Sequence, residues 1–269
     1  TLLMTDEAAK QKIADAEKQT AAEEAHLAKV SVAAEEAFEK WLTERPAEAR
    51  LLGQIGHFPL DEYKDGKLPN LADESKQASS SQRNKIVLGK NGNALQLTGD
   101  DGVNLGIGNF KRTQPFSVAL WMNTPHHKER TVVFSRSRAW TDAGSRGYQL
   151  LLRDGHLSAS LIHFWPGNAI SVRTKAKLPK NEWHHVAITY NGSTRAAGLQ
   201  VFVDGQAAPS EIVRDNLYKN ITGGGGDTIV IGQRFRDVGF ARGLVDDFRV
   251  FDRELTGGEV AQLHDGESL

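Results

Sequence analysis

The part of the chain that follows Ala94 is a succession of short strand-like runs separated by turn dipeptides, and this pattern restricts the fold more than any other feature. Asp154-Gly155 and Asp204-Gly205 each lie between two extended runs, which is the strongest short-range signal of a β-hairpin. Ten runs without an intervening helix predict an all-β fold, a two-sheet antiparallel sandwich. The predicted strands span residues 94–97, 116–122, 130–136, 148–153, 157–164, 169–173, 184–190, 199–203, 228–232 and 244–251.

Residues 1–50 differ in composition from the remainder of the chain. They are rich in alanine and glutamate, whereas every glycine lies after Arg50. This segment predicts one long α-helix over residues 5–43, a coiled-coil-like arm. Its weak heptad seam consists of Ile13, Thr20, Leu27, Ala34 and Trp41. A helix of this length needs a partner: it packs on the sandwich or breaks into a hairpin, or its partner lies in another domain or in a second copy of the chain.

Two further segments complete the predicted organisation. Residues 64–93 are polar and rich in turn residues, and they predict a long loop around one short strand at 85–88. Near the C terminus, Thr256 followed by Glu259 predicts a short capped helix. The chain is therefore expected to consist of a helical arm at 1–50 and a sandwich domain at 51–269, which includes the polar loop and the C-terminal helix.

Composition excludes several classes of protein. The absence of cysteine excludes a disulfide scaffold, a zinc–thiolate site, an iron–sulfur cluster and a thiol nucleophile. A formal net charge of −1 argues against a general nucleic-acid-binding protein. No apolar run approaches the roughly 18 residues that a membrane-spanning helix needs. The chain begins at Thr1 without a signal peptide, and we expect a processed protein or a piece of a longer one.

Five stretches of the sequence carry a resemblance to known proteins. They read HFPLDE (57–62), ALQLTGDD (94–101), FSVALW (116–121), WHHVAITYNGS (183–193, with 199–205 after it) and GLVDDFRVFDREL (243–255). In this order and spacing they resemble the laminin-G-like, concanavalin-A-like family, and within it the pentraxin-related branch. The resemblance implies a two-sheet jelly roll in which the first strand, around Phe58, pairs beside the last strand, around residues 244–251.

Two more stretches, RGYQLLL (146–152) and HFWPGNAI (163–170), narrow the resemblance. They look like the sandwich domain of large planctomycete proteins that also contain a cytochrome c domain and uncharacterised domains, and in which a helical segment precedes the sandwich. This resemblance implies a periplasmic or cell-surface location. It also implies that the N-terminal helix contacts other domains of the same polypeptide.

The sequence does not indicate an enzyme. Glycoside hydrolases of this shape need two carboxylates that face each other across the glycosidic bond. None of the predicted strands carries acidic residues at alternate positions, and the adjacent Asp246 and Asp247 are expected to point to opposite faces. The glycine run 223–226 lacks the Gly-Lys-Ser/Thr ending of a phosphate-binding loop and predicts a flexible connection.

Calcium is the one cofactor that the resemblance implies. Jelly rolls of this family often hold one Ca²⁺ near the paired terminal strands, through an acidic residue of the first strand and one of the last. Asp61 and Asp246 match these positions, and oxygen ligands suit this cation. The alternative is that acidic residues in turns only bond nearby backbone groups.

The candidate ligand-binding residues are aromatic and cationic side chains in loops and at strand ends. Aromatic rings suit the apolar C–H faces of sugars, and the guanidinium fork suits sulfate or carboxylate. The set consists of Arg138, Trp140, Arg146, Tyr148, His163, Trp165, Arg234 and Arg236. The alternative is that Trp140 and Trp165 are half-buried loop anchors and that the arginines pair with Asp142, Asp237 and Asp247.

The sequence therefore predicts a non-catalytic, lectin-like module for polysaccharide, with anionic or sulfated chains as the class that the arginines suit. A second hypothesis is a structural or protein-interaction module that docks through the N-terminal helix. A third is a glycoside hydrolase or lyase. The first predicts an exposed cluster of Trp140 and Trp165 in a concave groove with Arg146 nearby. The second predicts that these tryptophans are buried and that an apolar stripe of the helix faces solvent. The third predicts two facing carboxylates in the groove.

Overall fold

The alanine- and glutamate-rich segment forms a single helix, because it consists mostly of strong helix formers and contains neither glycine nor proline before Pro46. In a computed structural model, which describes residues 7–44, 51–80, 83–139 and 146–266, helix α1 spans Glu7–Glu44. A salt bridge of 2.7 Å between Lys10 and Glu7 supports its first turns. The chain divides into two compact units, and α1 belongs to the first.

The second unit contains seventeen strands within the described residues. They are β1 (Gln54–Phe58), β2 (Lys67–Leu68), β3 (Ala78–Ser79), β4 (Lys85–Leu88), β5 (Asn93–Gln96), β6 (Val103–Asn104), β7 (Phe116–Asn123), β8 (Thr131–Arg136), β9 (Gly147–Arg153), β10 (His156–Phe164), β11 (Asn168–Thr174), β12 (Trp183–Tyr190), β13 (Leu199–Val203), β14 (Gln206–Ala207), β15 (Ser210–Asn216), β16 (Val230–Ile231) and β17 (Leu244–Phe251).

These strands form two antiparallel sheets. Sheet A has the order β14-β13-β12-β7-β17-β5-β4, and β1 pairs with β17 on the same side as β5. Sheet B has the order β15-β11-β10-β9-β8-β16-β6-β3-β2. The predicted all-β jelly-roll sandwich behind an N-terminal helix is confirmed. The pairing of the first strand beside the last also occurs, with Phe58 opposite Phe248.

The core lies between the sheets because alternate strand residues are apolar. Val118 and Leu120 of β7 meet Leu150 of β9 and Leu161 of β10 in one buried cluster. At one end, the ring of Phe116 stacks on Phe110 with centroids 4.8 Å apart. The residues between these apolar positions point to the outer faces of the two sheets.

Helix α2 (Gly257–Asp265) covers part of the outer face of sheet A. The Thr256 side chain accepts from the Glu259 N–H while Glu259 accepts from the Thr256 N–H, which is the predicted capping box. Val260 and Leu263 then pack with Phe202 and Phe251 in a second buried cluster. Part of the outer face of sheet A is therefore apolar and covered by this helix.

One long strand had no counterpart in the sequence prediction. Strand β15 (Ser210–Asn216) pairs with β11 at the edge of sheet B. Most of its residues are exposed, so its sequence lacks the alternation of apolar and polar residues that marks a half-buried strand.

Candidate functional site

A groove runs along the outer face of sheet B, and its floor is made of small polar side chains. Ser160 of β10 lies opposite Gln149 of β9 and Ser171 of β11, and the two serine hydroxyls are 2.8 Å apart. Short side chains at these positions leave a depression between longer neighbours. The residues that line the groove are Arg130, Gln149, Leu151, Arg153, Ser158, Ser160, Trp165, Ser171, Arg173 and Val213.

Trp165 forms one side of this groove. It follows β10 in the turn that leads to β11, and its side chain is half-buried. The guanidinium carbon of Arg214 lies 5.6 Å from the centroid of the indole ring, within cation–π range. The groove therefore has an aromatic side chain beside a hydroxyl-lined floor. Of the predicted site residues that the structure describes, Trp165 lines it.

The opposite side of the groove is held by Asp237, which pairs with two arginines. Its carboxylate accepts from Arg130 Nε at 2.7 Å and from Arg234 Nε at 3.0 Å. Burial raises the pKa of Asp237, but the hydrogen bonds and charges of Arg130 and Arg234 outweigh burial, so the net pKa lies below the ordinary value. Asp237 is thus an ionised anchor for the loop 234–238.

The structure corrects the predicted role of Arg234. This residue is 3% exposed, and besides Asp237 it donates to Gln149 at 2.7 Å and to Ser137 at 3.1 Å. Burial lowers its pKa to about 10, with Asp237 opposing the shift. Arg234 therefore fixes the loop and the Gln149 amide rather than facing a ligand.

Tyr148 is the second predicted ligand residue that the structure places elsewhere. It is 1% exposed, its ring lies 4.6 Å from that of Phe116, and its hydroxyl donates to the Gly108 carbonyl at 2.7 Å. Burial raises the pKa of this phenol far above its ordinary value. The alternation of β9 turns Tyr148 inward because its neighbour Gln149 faces the groove.

A second group of predicted residues meets at the end of sheet B, and we call it the rim: Arg138, Arg146, His163 and residues 223–226. Arg146 Nη2 lies 3.5 Å from His163 Nε2, and His163 Nδ1 lies 2.5 Å from the Asn220 carbonyl oxygen. Within the described part of the chain, no carboxylate forms an ion pair with Arg138 or Arg146. The two rim arginines are therefore not neutralised by an ion pair with any described residue.

The glycine run 223–226 is required by this close packing. A Cβ on Gly226 would lie 2.4 Å from the backbone nitrogen of Arg138, and a Cβ on Gly224 would lie 3.0 Å from Cβ of Arg146. Gly223, Gly225 and Gly226 also have positive φ angles, which favour glycine. The run, predicted only as a connection, lies directly against two of the predicted ligand residues.

Arg136, which is not in the predicted set of ligand-binding residues, supports the rim from inside. It is fully buried, and it donates to Asp227 at 2.6 Å, to the Ile221 carbonyl at 2.9 Å and to Asn109. Burial lowers its pKa, and the charge of Asp227 opposes this. A buried arginine in a sequence of alternating strands has no local signal, because its partners lie far along the chain.

Arg236, another predicted ligand residue, belongs neither to the lining of the groove nor to the rim. Arg236 is exposed, with its guanidinium carbon 5.4 Å from the centroid of the Phe235 ring. Trp140 lies outside the described residues. Neighbouring strand ends carry three predicted residues that the structure does describe: Arg146 precedes β9, His163 lies near the end of β10, and Trp165 follows β10.

The two residues predicted to bind calcium meet at one turn, residues 89–93, between β4 and β5. Asp246 Oδ2 accepts from the N–H groups of Lys90 and Asn91, both at 2.8 Å, and Asp61 Oδ1 accepts from the Asn93 N–H at 2.6 Å. Asp246 is 0% exposed, and its Oδ1 has no hydrogen-bond partner. Burial raises the pKa of Asp246 to about 6, with smaller contributions from Asp247 and Asp61, against the two N–H groups.

This turn supplies some, but not all, of the oxygen ligands that a hard cation needs. The two carboxylates, one of which has a buried oxygen without a hydrogen bond, fit a Ca²⁺ ion, but each carboxylate already accepts backbone hydrogen bonds. No group of three or more histidine, cysteine, aspartate or glutamate side chains suited to a metal occurs in the described ranges. A cation here would need backbone carbonyls or water as further ligands.

The lining of the groove, as far as the structure describes it, contains no carboxylate. Neither helix, over the same described ranges, has a stretch long and apolar enough to cross a membrane.

Several solved structures share this fold at low sequence identity. The binding domain of Paraclostridial Mosquitocidal Protein 1 is 15% identical with a TM-score of 0.61, and the match covers 80% of this chain and 52% of that one. Domain 4 of AbnA, a GH43 extracellular arabinanase from Geobacillus stearothermophilus in complex with arabinotriose, is 19% identical with a TM-score of 0.53, covering 78% and 98%. The botulinum neurotoxin serotype D ligand binding domain in complex with N-acetylneuraminic acid is 17% identical with a TM-score of 0.56, covering 80% and 51%. The chain thus spans about half the length of the two toxin domains.

Solved structures at such low identity show the fold alone, whereas a match to a family model shows the family of the chain. No curated protein sequence matches the chain significantly. The model described as the concanavalin A-like lectin/glucanases superfamily matches residues 97–261, which is more than half of the chain. The pentraxin-related branch and the planctomycete context stay predictions. The chain belongs to the concanavalin A-like lectin/glucanases superfamily.

Proposed function

We propose that the protein is a non-catalytic, lectin-like module that binds polysaccharide in the groove of sheet B. The observation that carries this proposal is the position of Trp165 beside a floor of serine hydroxyls and the Gln149 amide. An indole ring suits the apolar face of a sugar, and the hydroxyl and amide groups suit its hydroxyls. The arabinotriose bound by the arabinanase domain and the N-acetylneuraminic acid bound by the toxin domain support the same role.

The charge of the site favours an anionic glycan. Arg130, Arg153 and Arg173 line the groove, and Arg138 and Arg146 belong to the rim. Guanidinium groups bind carboxylate and sulfate in bidentate geometry. We therefore propose uronic-acid or sulfated polysaccharides as the ligand class.

The same lining supports a binding role over hydrolysis. Glycoside hydrolysis uses a pair of carboxyl groups on either side of the bond that is cleaved. The described lining of the groove supplies arginine, serine, glutamine and tryptophan instead. A polysaccharide bound there is expected to dissociate unchanged.

Calcium and location complete the proposal. We propose that Asp61 and Asp246 hold one structural Ca²⁺ beside the turn 89–93, because Asp246 Oδ1 is otherwise unpartnered. We propose a periplasmic or extracellular site of action, which the extracellular arabinanase relative supports. Contact of the helix with other domains of the same polypeptide stays a prediction.

The experiment is a glycan array, including uronic-acid and sulfated polysaccharides, with wild type, Trp165→Ala and Trp183→Ala. Trp183 is a matched control because it is also half-buried but begins β12 of sheet A. We expect selective binding that Trp165→Ala weakens about tenfold or more and that Trp183→Ala changes little. Equal binding by Trp165→Ala, or no glycan binding by the folded wild type, would contradict the proposal.

A further inference from the structure

Cationic side chains lie at both ends of β9, one of the three strands that form the floor of the groove. Arg146 immediately precedes β9, and Arg153 is the last residue of β9. Seven residues at about 3.3 Å each separate their backbones by about 23 Å. The two arginines therefore lie at opposite ends of sheet B.

Other cations gather at each of these ends. His163 and Arg138 accompany Arg146 in the rim. At the far end, Arg130 immediately precedes β8, and Thr131 of β8 lies opposite Leu152 of β9. Arg173 of β11 lies opposite Ser158 of β10, near the same end. We call Arg130, Arg153 and Arg173 the far end of the groove.

The middle of the groove is neutral. Gln149, Ser160 and Ser171 form one row across three strands, and Trp165 lies at the side of the groove. The described residues of the lining include no acidic group that would repel an anion along the way. The pattern along the groove is thus cationic, neutral with hydroxyl and amide groups, and cationic again.

The cations at the two ends are not fully neutralised by the protein. Arg130 pairs with Asp237 and Arg173 pairs with Glu211, whereas Arg153, like Arg138 and Arg146, forms no ion pair with any described carboxylate. The Debye length at physiological salt is about 8 Å, which is less than half of the separation. An anion bound at one end therefore gains nothing from the other, and only a ligand with anionic groups at both ends engages both.

Resting on the proposed function, we infer that the groove binds an internal segment of an acidic polysaccharide, with anionic groups held at the rim and at the far end, rather than one terminal acidic sugar. Binding at one end then places the second anionic group close to the other end at high effective concentration. A short oligosaccharide reaches only one end, so it binds weakly and at either of two places.

The test is a length series measured by calorimetry on the full chain. The probes are oligogalacturonates and heparin-derived oligosaccharides from disaccharide to octasaccharide, with methyl-esterified oligogalacturonates and neutral dextran oligosaccharides as uncharged counterparts. We expect an affinity step of roughly tenfold or more in an acidic series once the chain is long enough to reach both ends. The neutral series is expected to show no such step.

Variants Arg146→Gln and Arg153→Gln separate the two ends, and Arg83→Gln is the matched control. Arg83 is exposed and precedes β4 of sheet A. With the longest oligosaccharide, each single variant is expected to lose roughly tenfold in affinity. With the disaccharide, each single variant is expected to lose only about half of the bound disaccharide, because the site at the other end remains. The double variant is expected to lose nearly all disaccharide binding. Arg83→Gln should change neither.

The outcomes distinguish this inference from the proposed function. Equal affinity for acidic disaccharide and octasaccharide, or a loss confined to one end for every length, would overturn the two-ended mode while leaving glycan binding intact. No binding of any glycan by the folded chain would overturn both. Single-stranded DNA that binds as tightly as the acidic glycans, with the same losses in the two variants, would overturn the choice of a sugar ligand.

Discussion

At the residue scale, burial separates arginines and aspartates that look alike in the sequence. Arg234 is buried and its donors are taken by Asp237, Gln149 and Ser137, whereas Arg153 lines the groove without a described ion-pair partner. Asp246 is the least satisfied of the buried acids, since one carboxylate oxygen accepts two N–H groups and the other has no hydrogen bond. An ionised carboxylate in that position lowers stability unless a cation or a proton neutralises it.

This imbalance predicts an unusual pH dependence. The pKa of Asp246 is raised from 3.8 to about 6, so the folded protein keeps a proton that the unfolded chain has lost. The stability that the protonated Asp246 contributes to the fold is therefore fully present below pH 4 and is lost as the pH rises through 6. Relative to wild type in chelator, Asp246→Asn should gain about 2–3 kcal/mol in unfolding free energy between pH 4 and pH 7. Urea unfolding at pH 4, 5, 6 and 7 measures this difference.

Calcium should reverse the sign of this effect in wild type. At pH 7, millimolar Ca²⁺ is expected to raise the unfolding free energy of wild type but of neither Asp246→Asn nor Asp61→Asn. Asp61→Asn separates the two effects, because it removes a proposed Ca²⁺ ligand but retains the Asp246 carboxyl and therefore its pH dependence. A wild type that does not respond to Ca²⁺ would contradict the cation site, and an Asp246→Asn variant less stable than wild type in chelator at pH 7 would contradict the pH argument.

At the element scale, local signals and long-range packing act together in α2. Thr256 and Glu259 cap the helix reciprocally, and Glu259 also pairs with Arg253 at 2.6 Å. The helix then buries Val260 and Leu263 against sheet A. The cap determines where the helix begins, and the apolar side chains determine where it packs.

The cap makes a measurable contribution to stability. Thr256→Ala removes the acceptor for the Glu259 N–H and should lower the unfolding free energy by about 1 kcal/mol. Thr256→Ser keeps the hydroxyl and should stay close to wild type. Denaturant unfolding of the three proteins measures the difference, and an alanine variant as stable as the serine variant would show that the cap does not contribute.

At the scale of the whole molecule, the core of the sandwich is made of residues of the second unit alone. Its buried apolar cluster extends from Phe58 to Val250. The groove and the described part of the rim also lie between Arg130 and Gly226. The described residues that form the core, the groove and the rim therefore all follow residue 50.

We accordingly predict that a chain of residues 51–269 unfolds at the same denaturant concentration as the sandwich of the full chain. Its affinity for the best glycan should also be unchanged within about twofold. Circular dichroism should show the loss of helical signal alone. A truncated chain that aggregates, or that folds but loses glycan binding, would show that the arm is part of the binding unit.

Periodicity and turn chemistry are local properties, and for this reason the sequence by itself determined the all-β sandwich, the N-terminal helix and the cap at Thr256. It also pointed to Trp165, Arg146 and His163, because aromatic and cationic residues concentrate at the strand ends around them. Only the tertiary structure decided that Tyr148 and Arg234 are buried and that Arg130 and Arg153 belong to the groove. Burial and ion pairing depend on partners far along the chain, such as Asp237 for Arg130 or Asp227 for Arg136. A residue's type and neighbours do not specify such partners; the packing of two sheets does.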